Sequence, residues 1–270
     1  MGNSEIVEYY NLGFEKERLF VDYFQLERIR SMEIIKRYLT KPKMSIVDIG
    51  GGTGFYSFWL AEQGYNVHLI DLTPKNIEIA LEHSKDKGIS LGSIKVGDAT
   101  KLDYNDNTFD IALLFGPLYH LVNKEDRIKS LVEAKRVLKK GGILLCVAIS
   151  RYASMLDGYF KDIIKDRDFE KMMRDDLNNG QHRNTTGNFD YFTTAYLHHP
   201  EELKEEIKNA GFELDKVIPI EGFGCALPDF DEKWKNEDYQ NSLLKTLEII
   251  ENDSSITGIT AHLMGIGKKK

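Results

Sequence analysis

Residues 47–54 read Val-Asp-Ile-Gly-Gly-Gly-Thr-Gly, and this octet restricts the fold more than any other stretch of the chain. Ile46, Val47 and Ile49 have the character of the end of a buried strand, whereas Phe55, Phe58 and Trp59 occupy positions i, i+3 and i+4 of a helix starting directly after the glycines. Strand, glycine loop and helix in succession make a cradle. Glycine permits positive φ and has no Cβ to obstruct a ligand, and the first helical turn offers N–H groups without intrahelical partners.

Which ligand the cradle takes follows from what comes next. A phosphate-binding loop would need a Lys-Ser or Lys-Thr pair after the last glycine, and a dinucleotide fingerprint would need a third glycine at position 55. Phe55 and Tyr56 supply neither. The absent glycine is the one that allows close helix–strand packing beside a pyrophosphate, so a pyrophosphate ligand is disfavoured. Residues 65–70 lead into Asp71, a carboxylate at the end of a second strand, where it can accept hydrogen bonds from ribose hydroxyls. A nucleoside without phosphates suits the loop and the acid together.

These residues resemble the class I, Rossmann-like S-adenosylmethionine-dependent methyltransferases, whose first motif is an acidic residue followed by G-x-G-x-G: here Asp48, Gly50, Gly52 and Gly54. The resemblance runs on through Asp71, through Gly97-Asp98-Ala99 after a third strand, and through residues 109–114 as a fourth strand. It continues into Arg136-Val137-Leu138-Lys139-Lys140-Gly141-Gly142 before a fifth. A glycine loop alone can be a tight turn and an Asp at a strand end can be a cap, so the signal lies in five motifs in order between residues 44 and 149. The resemblance implies an α/β fold: a doubly wound, mainly parallel seven-stranded sheet of order 3-2-1-4-5-7-6, strand 7 antiparallel, with helices on both faces. It also implies S-adenosylmethionine as cofactor, with S-adenosylhomocysteine as product. The residues expected to bind it are Asp48, Gly50, Gly51, Gly52, Gly54, Asp71, Leu72, Asp98, Ala99, Phe115, Gly116 and Tyr10.

The octet Leu114-Phe115-Gly116-Pro117-Leu118-Tyr119-His120-Leu121 follows strand four. Similar stretches in small-molecule methyltransferases of the type 11 kind lie beside the transferring methyl, which makes Tyr119 and His120 the candidate catalytic residues. An adenine-N6 methyltransferase of nucleic acid would carry an Asn/Asp-Pro-Pro-aromatic motif here, and Gly116-Pro117-Leu118-Tyr119 departs from it. Substrate-binding candidates are Glu27 and Arg30 on a leading amphipathic helix (residues 15–39), Tyr119, His120, Arg151 just past strand five, and Tyr196. Tyr9 is a further pocket candidate. A sulfonium makes its methyl strongly electrophilic, so the protein contributes chiefly alignment; a base matters only where the nucleophile must lose a proton.

The remaining chain fits one methyltransferase domain over residues 1–270, divided into a helical cap (1–43), a cofactor-binding core (44–150), a lid insertion (151–199) and a sheet-completing segment (200–270). Helices are expected from Pro74 to about Gly88, over 124–140 with Asn123 as N-cap, at 153–165 and 168–178 inside the lid, at 200–210, and at 240–251. Strands are expected at 143–149, 213–220 and 258–267. The formal net charge of −7 argues against a general nucleic-acid binder. Cys146 and Cys225 are too few and too far apart for a zinc site or disulfide framework, and the spacing of His182, Tyr196, His198 and His199 matches no compact metal motif. No metal is therefore expected. The sequence lacks both a signal-peptide pattern and an apolar run of membrane-spanning length, which makes the cytoplasm the expected compartment. The expected partner is a small-molecule acceptor (O, N or C), without nucleic acid or membrane, and no segment specifies an oligomeric state. Alternatives are a tRNA or protein methyltransferase, marked by a basic rim around the pocket, and a non-catalytic S-adenosylmethionine-binding module. A nicotinamide oxidoreductase rests on fold analogy alone and conflicts with Phe55.

Overall fold

The computed structural model describes Leu19, Val21 and residues 23–270. Tyr9, Tyr10 and the first part of the expected leading helix lie outside the described residues. The amino-terminal half alternates strand and helix: α1 (Phe24–Tyr38), β1 (Ser45–Ile49), α2 (Phe55–Glu62), β2 (Asn66–Asp71), α3 (Pro74–Lys87) and β3 (Ser93–Val96). Next come β4 (Phe109–Phe115), α4 (Pro117–His120), α5 (Lys124–Val137) and β5 (Leu138–Ile149). The segment after β5 contains α6 (Ala153–Phe160), α7 (Arg167–Asn179) and a small hairpin of β6 (Gln181–His182) and β7 (Ala195–Tyr196). The chain closes with α8 (Pro200–Asn209), β8 (Glu213–Pro219), α9 (Phe230–Trp234), α10 (Glu237–Ile250) and β9 (His262–Lys268).

Seven strands form one sheet in the order β3-β2-β1-β4-β5-β9-β8. Renumbered among themselves, these seven have the implied order 3-2-1-4-5-7-6. Neighbours from β3 to β5 run parallel, and β9 is antiparallel to both β5 and β8. The order reverses between β1 and β4, where one branch of the sheet continues through β2 and β3 and the other through β5. Loops leaving these two strands therefore separate and open a crevice at the carboxyl edge.

Both faces of the sheet are covered, and the period-2 alternation of side chains assigns each residue to a face. Val47, Ile49, Ala112, Leu114 and Cys146 pack with Leu131 of α5 and Leu203 and Ile207 of α8. Ile46, Ile111, Leu113, Leu145 and Val147 pack with Ile34 and Ile35 of α1 and Leu60 of α2. Phe109 joins the first set rather than the second, because the ladder between β4 and β5 shifts register between Phe109 and Ile111. Each fully buried Leu or Ile here contributes about 1.5–3 kcal/mol.

Local chemistry fixes the helix ends. Pro74 opens α3 at a position where a missing N–H costs nothing, and Gly88 closes it in the left-handed region at φ 65°. The side chain of His199 caps α8, and the Glu202 carboxylate accepts the His199 backbone amide in return, a reciprocal capping box. His198, by contrast, is buried against Glu206 and takes no part in the cap.

Several boundaries differ from expectation. The helix expected to reach residue 140 stops at Val137, because Leu138 already pairs with Phe109 and Gly141 (φ 77°) bends the chain. Asn123 occupies the N-cap of α5 but makes no side-chain cap hydrogen bond. The last strand begins at His262 instead of residue 258. Gly258 packs so tightly on Tyr152 that a Cβ there would stand 2.7 Å from its ring. α9 was not expected; it forms because Phe230 and Trp234 stack, centroids 5.0 Å apart, beside Leu26 of α1 and Tyr23 just before it.

Candidate active site

The glycine loop leaves β1 and turns back over the end of β2. The amides of Gly50 and Gly51 both donate to the Ile70 carbonyl, at 2.7 and 3.2 Å. Gly50, Gly52 and Gly54 all have positive φ, at 74°, 59° and 90°. Their surroundings differ. A Cβ on Gly50 would stand 2.5 Å from Cδ of Pro117, and one on Gly51 would stand 2.5 Å from Cγ of Asp48. A Cβ on Gly52 would meet nothing within 4 Å. Gly50 and Gly51 are thus glycines because the loop is packed, whereas Gly52 faces open space.

That space is a cavity of about 280 Å³, lined by Gly50, Gly51, Gly52 and Thr53 at the centre. On the β2–β3 side lie Asp71, Leu72, Thr73, Asn76 and the run Gly97-Asp98-Ala99-Thr100. On the opposite side lie Phe115, Gly116, Tyr119 and His120 from the segment after β4, with Val147 of β5 and Glu27 of α1. Phe55 and Tyr56, at the start of α2, complete the wall; the Tyr56 and Phe115 rings meet edge-to-face at 5.3 Å.

Asp71 is the best-anchored charge in the cavity. Its Oδ2 accepts the Gly52 amide at 2.9 Å, and its Oδ1 accepts the Thr73 amide at 2.8 Å and Nδ2 of Asn76 at 3.1 Å. Burial pushes its pKa up, and these donors pull against that by favouring the carboxylate. Thr73 and Asn76 were not among the sequence candidates. The signal available was Thr73 before Pro74 as a helix start, which places Asn76 one turn in, facing Asp71.

Asp48 sits beneath the loop and does not line the cavity. It is fully buried; its Oδ2 accepts from Oγ of Ser57 at 2.7 Å, and its Oδ1 has no hydrogen-bond partner among the described residues. Burial raises its pKa to about 7, with the Ser57 hydrogen bond opposing and the Asp71 charge adding to the rise. Gly54 also lies off the cavity, packed on the Phe58 ring, where a Cβ would stand at 2.9 Å. Asp98 lines the cavity, but its Oδ1 accepts the amide and the hydroxyl of Thr100 at 2.8 and 2.9 Å.

Three substrate candidates stand elsewhere. Arg30 is completely buried and donates to Glu251 at 2.6 Å and to the Ile220 carbonyl at 3.3 Å, so it joins α1 to the segment after α10. Arg151 donates to Glu202 at 2.6 Å and to the Leu197 carbonyl at 2.8 Å. Tyr196 has its ring beneath the Arg127 guanidinium, 3.7 Å from the centroid. None of the three lines the cavity, because each pairs with a residue distant in sequence.

The segment carrying Tyr119 and His120 is held from below. Arg127 donates from Nη1 to the Leu121 and Val122 carbonyls at 3.0 and 2.9 Å, and from Nε and Nη2 to Glu206 at 3.0 and 2.8 Å. Burial would raise the Glu206 pKa, but hydrogen bonds from His198 and Arg127 outweigh it and hold the pKa low. From above, Phe192 brings its ring to 5.9 Å from that of His120 and 6.4 Å from that of Tyr119. Its backbone is at φ 67°, a strained conformation for a bulky residue.

Glu27, Glu221 and His262 form the one group of metal-ligand type among the described residues, their ligand atoms within 4.8 Å of one another. His262 Nδ1 is 2.6 Å from Glu221 and 3.8 Å from Glu27. Among the described residues, no helix is long and apolar enough to cross a membrane.

The residues fit a nucleoside cofactor of the S-adenosylmethionine type. Gly52 gives an open approach where a side chain would fill the cradle, and Asp71 is fixed at its rim. Comparison with known proteins agrees. Residues 47–146 match the family described as "Methyltransferase domain". Over 116 residues the chain is 37% identical to a ubiquinone/menaquinone biosynthesis C-methyltransferase of Zymomonas mobilis, covering 42% of this chain and 46% of that protein. Its counterpart in Shewanella pealeana is 28% identical over 198 residues, 70% of this chain and 74% of the relative. The chain thus spans between about half and three quarters of the length of these relatives. A solved methyltransferase from Methanosarcina mazei shares the fold, with TM-score 0.57 at 23% identity over 87% of this chain and 96% of its own. With the reversal point, the glycine cradle and these matches in agreement, residues 47–146 carry a methyltransferase domain, and the sheet has the Rossmann-like fold of the class I S-adenosylmethionine-dependent methyltransferases.

Proposed function

We propose that the protein transfers a methyl group from S-adenosylmethionine to a small-molecule acceptor. The observation that carries this reading is the shape of the cavity. The anchored Asp71 carboxylate stands on the β2–β3 side, a glycine without obstruction at the centre, and an aromatic wall with a histidine on the β4–β5 side. Small-molecule acceptors fit the relatives, which include the ubiquinone/menaquinone biosynthesis C-methyltransferases and a phosphoethanolamine N-methyltransferase of Triticum aestivum.

When bound, the cofactor supplies an electrophilic methyl group on a sulfonium. Asp71, held by Gly52, Thr73 and Asn76, would take the ribose hydroxyls, and Leu72 and Ala99, which line the cavity beside it, would hold the base. Asp48 supports the loop from beneath, and its buried charge is compensated when a cation occupies the cradle. Tyr119 and His120 face the acceptor side, where an imidazole can take a proton from an acceptor that must lose one. Residues 151–199 act as a lid whose Phe192 rests on these two rings and excludes water.

The test is formation of S-adenosylhomocysteine on incubation with S-adenosylmethionine and a screen of small amines, phenols and quinols. Turnover that depends on one acceptor class and falls in Asp71→Ala supports the proposal. Cofactor binding without turnover on any acceptor contradicts it.

A further inference from the structure

His182, the last residue of β6, is buried and does not line the cavity. Both of its ring nitrogens are engaged. Nδ1 stands 2.9 Å from Oδ2 of Asp176, a fully buried carboxylate on α7, and Nε2 stands 2.8 Å from the Tyr191 carbonyl. A carbonyl oxygen only accepts, so Nε2 carries a proton and donates it to the bond. Asp176 holds the opposite side of the ring and so sets the direction in which Nε2 points.

The Tyr191 carbonyl belongs to the peptide group in front of Phe192. The carbonyl behind it, that of Phe192 itself, accepts Nδ2 of Asn184 at 2.6 Å. Side chains from the first arm of the loop therefore clamp both peptide groups that flank the Phe192 Cα. Between them the backbone is at φ 67°, a conformation that an aromatic residue seldom adopts and that glycine takes readily, as Gly187 does in the same loop at φ 76°. A phenylalanine held there against its local preference directs attention to its ring. That ring lies 5.9 Å from the ring of His120 and 6.4 Å from the ring of Tyr119, and these two line the cavity while Phe192 stands behind them. The hairpin has support of its own: β6 and β7 pair along their backbones, and the Tyr191 ring meets Phe169 of α7 edge-on at 5.1 Å. To these the His182 hydrogen bond adds a constraint on one residue of the lid.

We infer that His182 is a positioning residue for methyl transfer: through the Tyr191 carbonyl it sets the Phe192 ring against Tyr119 and His120, and so fixes those two rings on the acceptor side of the cavity. The inference deepens the methyl-transfer reading and rests on it. Asp176 acts one step further back, by orienting the imidazole.

The test compares His182→Gln, whose side-chain nitrogen reaches as far as Nε2, with His182→Asn, whose nitrogen reaches only as far as Nδ1. In protein saturated with S-adenosylhomocysteine, the rate at which diethyl pyrocarbonate modifies His120 is followed by peptide mass spectrometry; kcat and KM are measured with the acceptor that the small-molecule screen yields. In His182→Asn, modification of His120 is expected to quicken and kcat to fall, each by about two- to tenfold, the scale of one neutral hydrogen bond, with KM for the acceptor changed less. His182→Gln is expected to recover most of both. S-adenosylhomocysteine affinity is expected to stay at the wild-type value in the two variants, which also reports an intact fold. Wild-type His120 reactivity and kcat in His182→Asn overturn the inference. So does a Gln variant no better than the Asn variant, which would leave the imidazole a fold element only, or a parallel loss of S-adenosylhomocysteine affinity. Absence of turnover by the wild type on every acceptor is a different result: it removes the methyl-transfer reading and the catalytic role of His182 with it, while the His120 rates still decide whether His182 sets the Phe192 ring.

Discussion

The Gly52 amide donates to Oδ2 of Asp71 at 2.9 Å, so the open glycine of the cradle and the acid at the end of β2 are one unit. Each orients the other. The hydrogen bond points the carboxylate along the cavity rim, and the carboxylate holds the loop in its left-handed conformation at Gly52.

Asp71→Ala is therefore expected to weaken S-adenosylhomocysteine binding by about 1.5–3 kcal/mol, roughly 10- to 150-fold, as charge-assisted hydrogen bonds are lost. Asp71→Asn, which keeps an acceptor oxygen for Thr73 or Gly52, should lose less. Calorimetric titration of the two variants measures the difference; equal affinity in wild type and alanine variant would remove Asp71 from the site.

Asp48 gives a pH dependence with a definite sign. Its carboxyl holds a proton to about pH 7 in the folded chain, whereas an unfolded Asp loses it near pH 4. Between these values the folded state binds more protons, so this group makes stability fall as pH rises, by on the order of 4 kcal/mol at most, and contributes no further change above pH 7. Asp48→Asn should lose that component, narrowing the gap in urea-denaturation stability between pH 5 and pH 8. An identical gap in variant and wild type would contradict the assignment.

Arg127 joins the segment behind His120 to α8, and its removal takes the guanidinium from Glu206 and leaves it the His198 hydrogen bond at 3.2 Å. Arg127→Met is expected to cost about 3–5 kcal/mol, since a buried carboxylate loses its charged partner, while the double change with Glu206→Leu recovers most of it. Chemical denaturation of single and double variants reads this directly. A double variant no more stable than the single one would show that the Leu121 and Val122 carbonyls, not the ion pair, dominate.

Phe192 tests the lid. Phe192→Ala removes the ring that rests on Tyr119 and His120, and it leaves the glycine loop untouched. Turnover should fall while S-adenosylhomocysteine affinity is retained. A loss of affinity with unchanged turnover would place Phe192 on the cofactor side.

The parts of the molecule legible in sequence are those encoded locally. The glycine loop, Asp71, the five strands of the core and the helix ends at Pro74 and Gly88 each announce themselves within a few residues, and the sheet order followed from resemblance to a family. What sequence did not show is long-range pairing. Arg30 looked like a pocket residue because helix periodicity cannot disclose Glu251, 221 positions away. Arg151 and Tyr196 were drawn off by Glu202 and Arg127 in the same way. Glu221 and His262 gave no local sign of the cluster they form with Glu27, since it exists only once β9 inserts between β5 and β8.

The cradle is expected to hold a nucleoside sulfonium cofactor and not a dinucleotide. Parallel calorimetric titrations with S-adenosylmethionine, S-adenosylhomocysteine and NAD test it most directly. The first two are expected to bind and NAD is not, with the binding weakened in Asp71→Ala. Binding of NAD alone, or of none of the three, would contradict it.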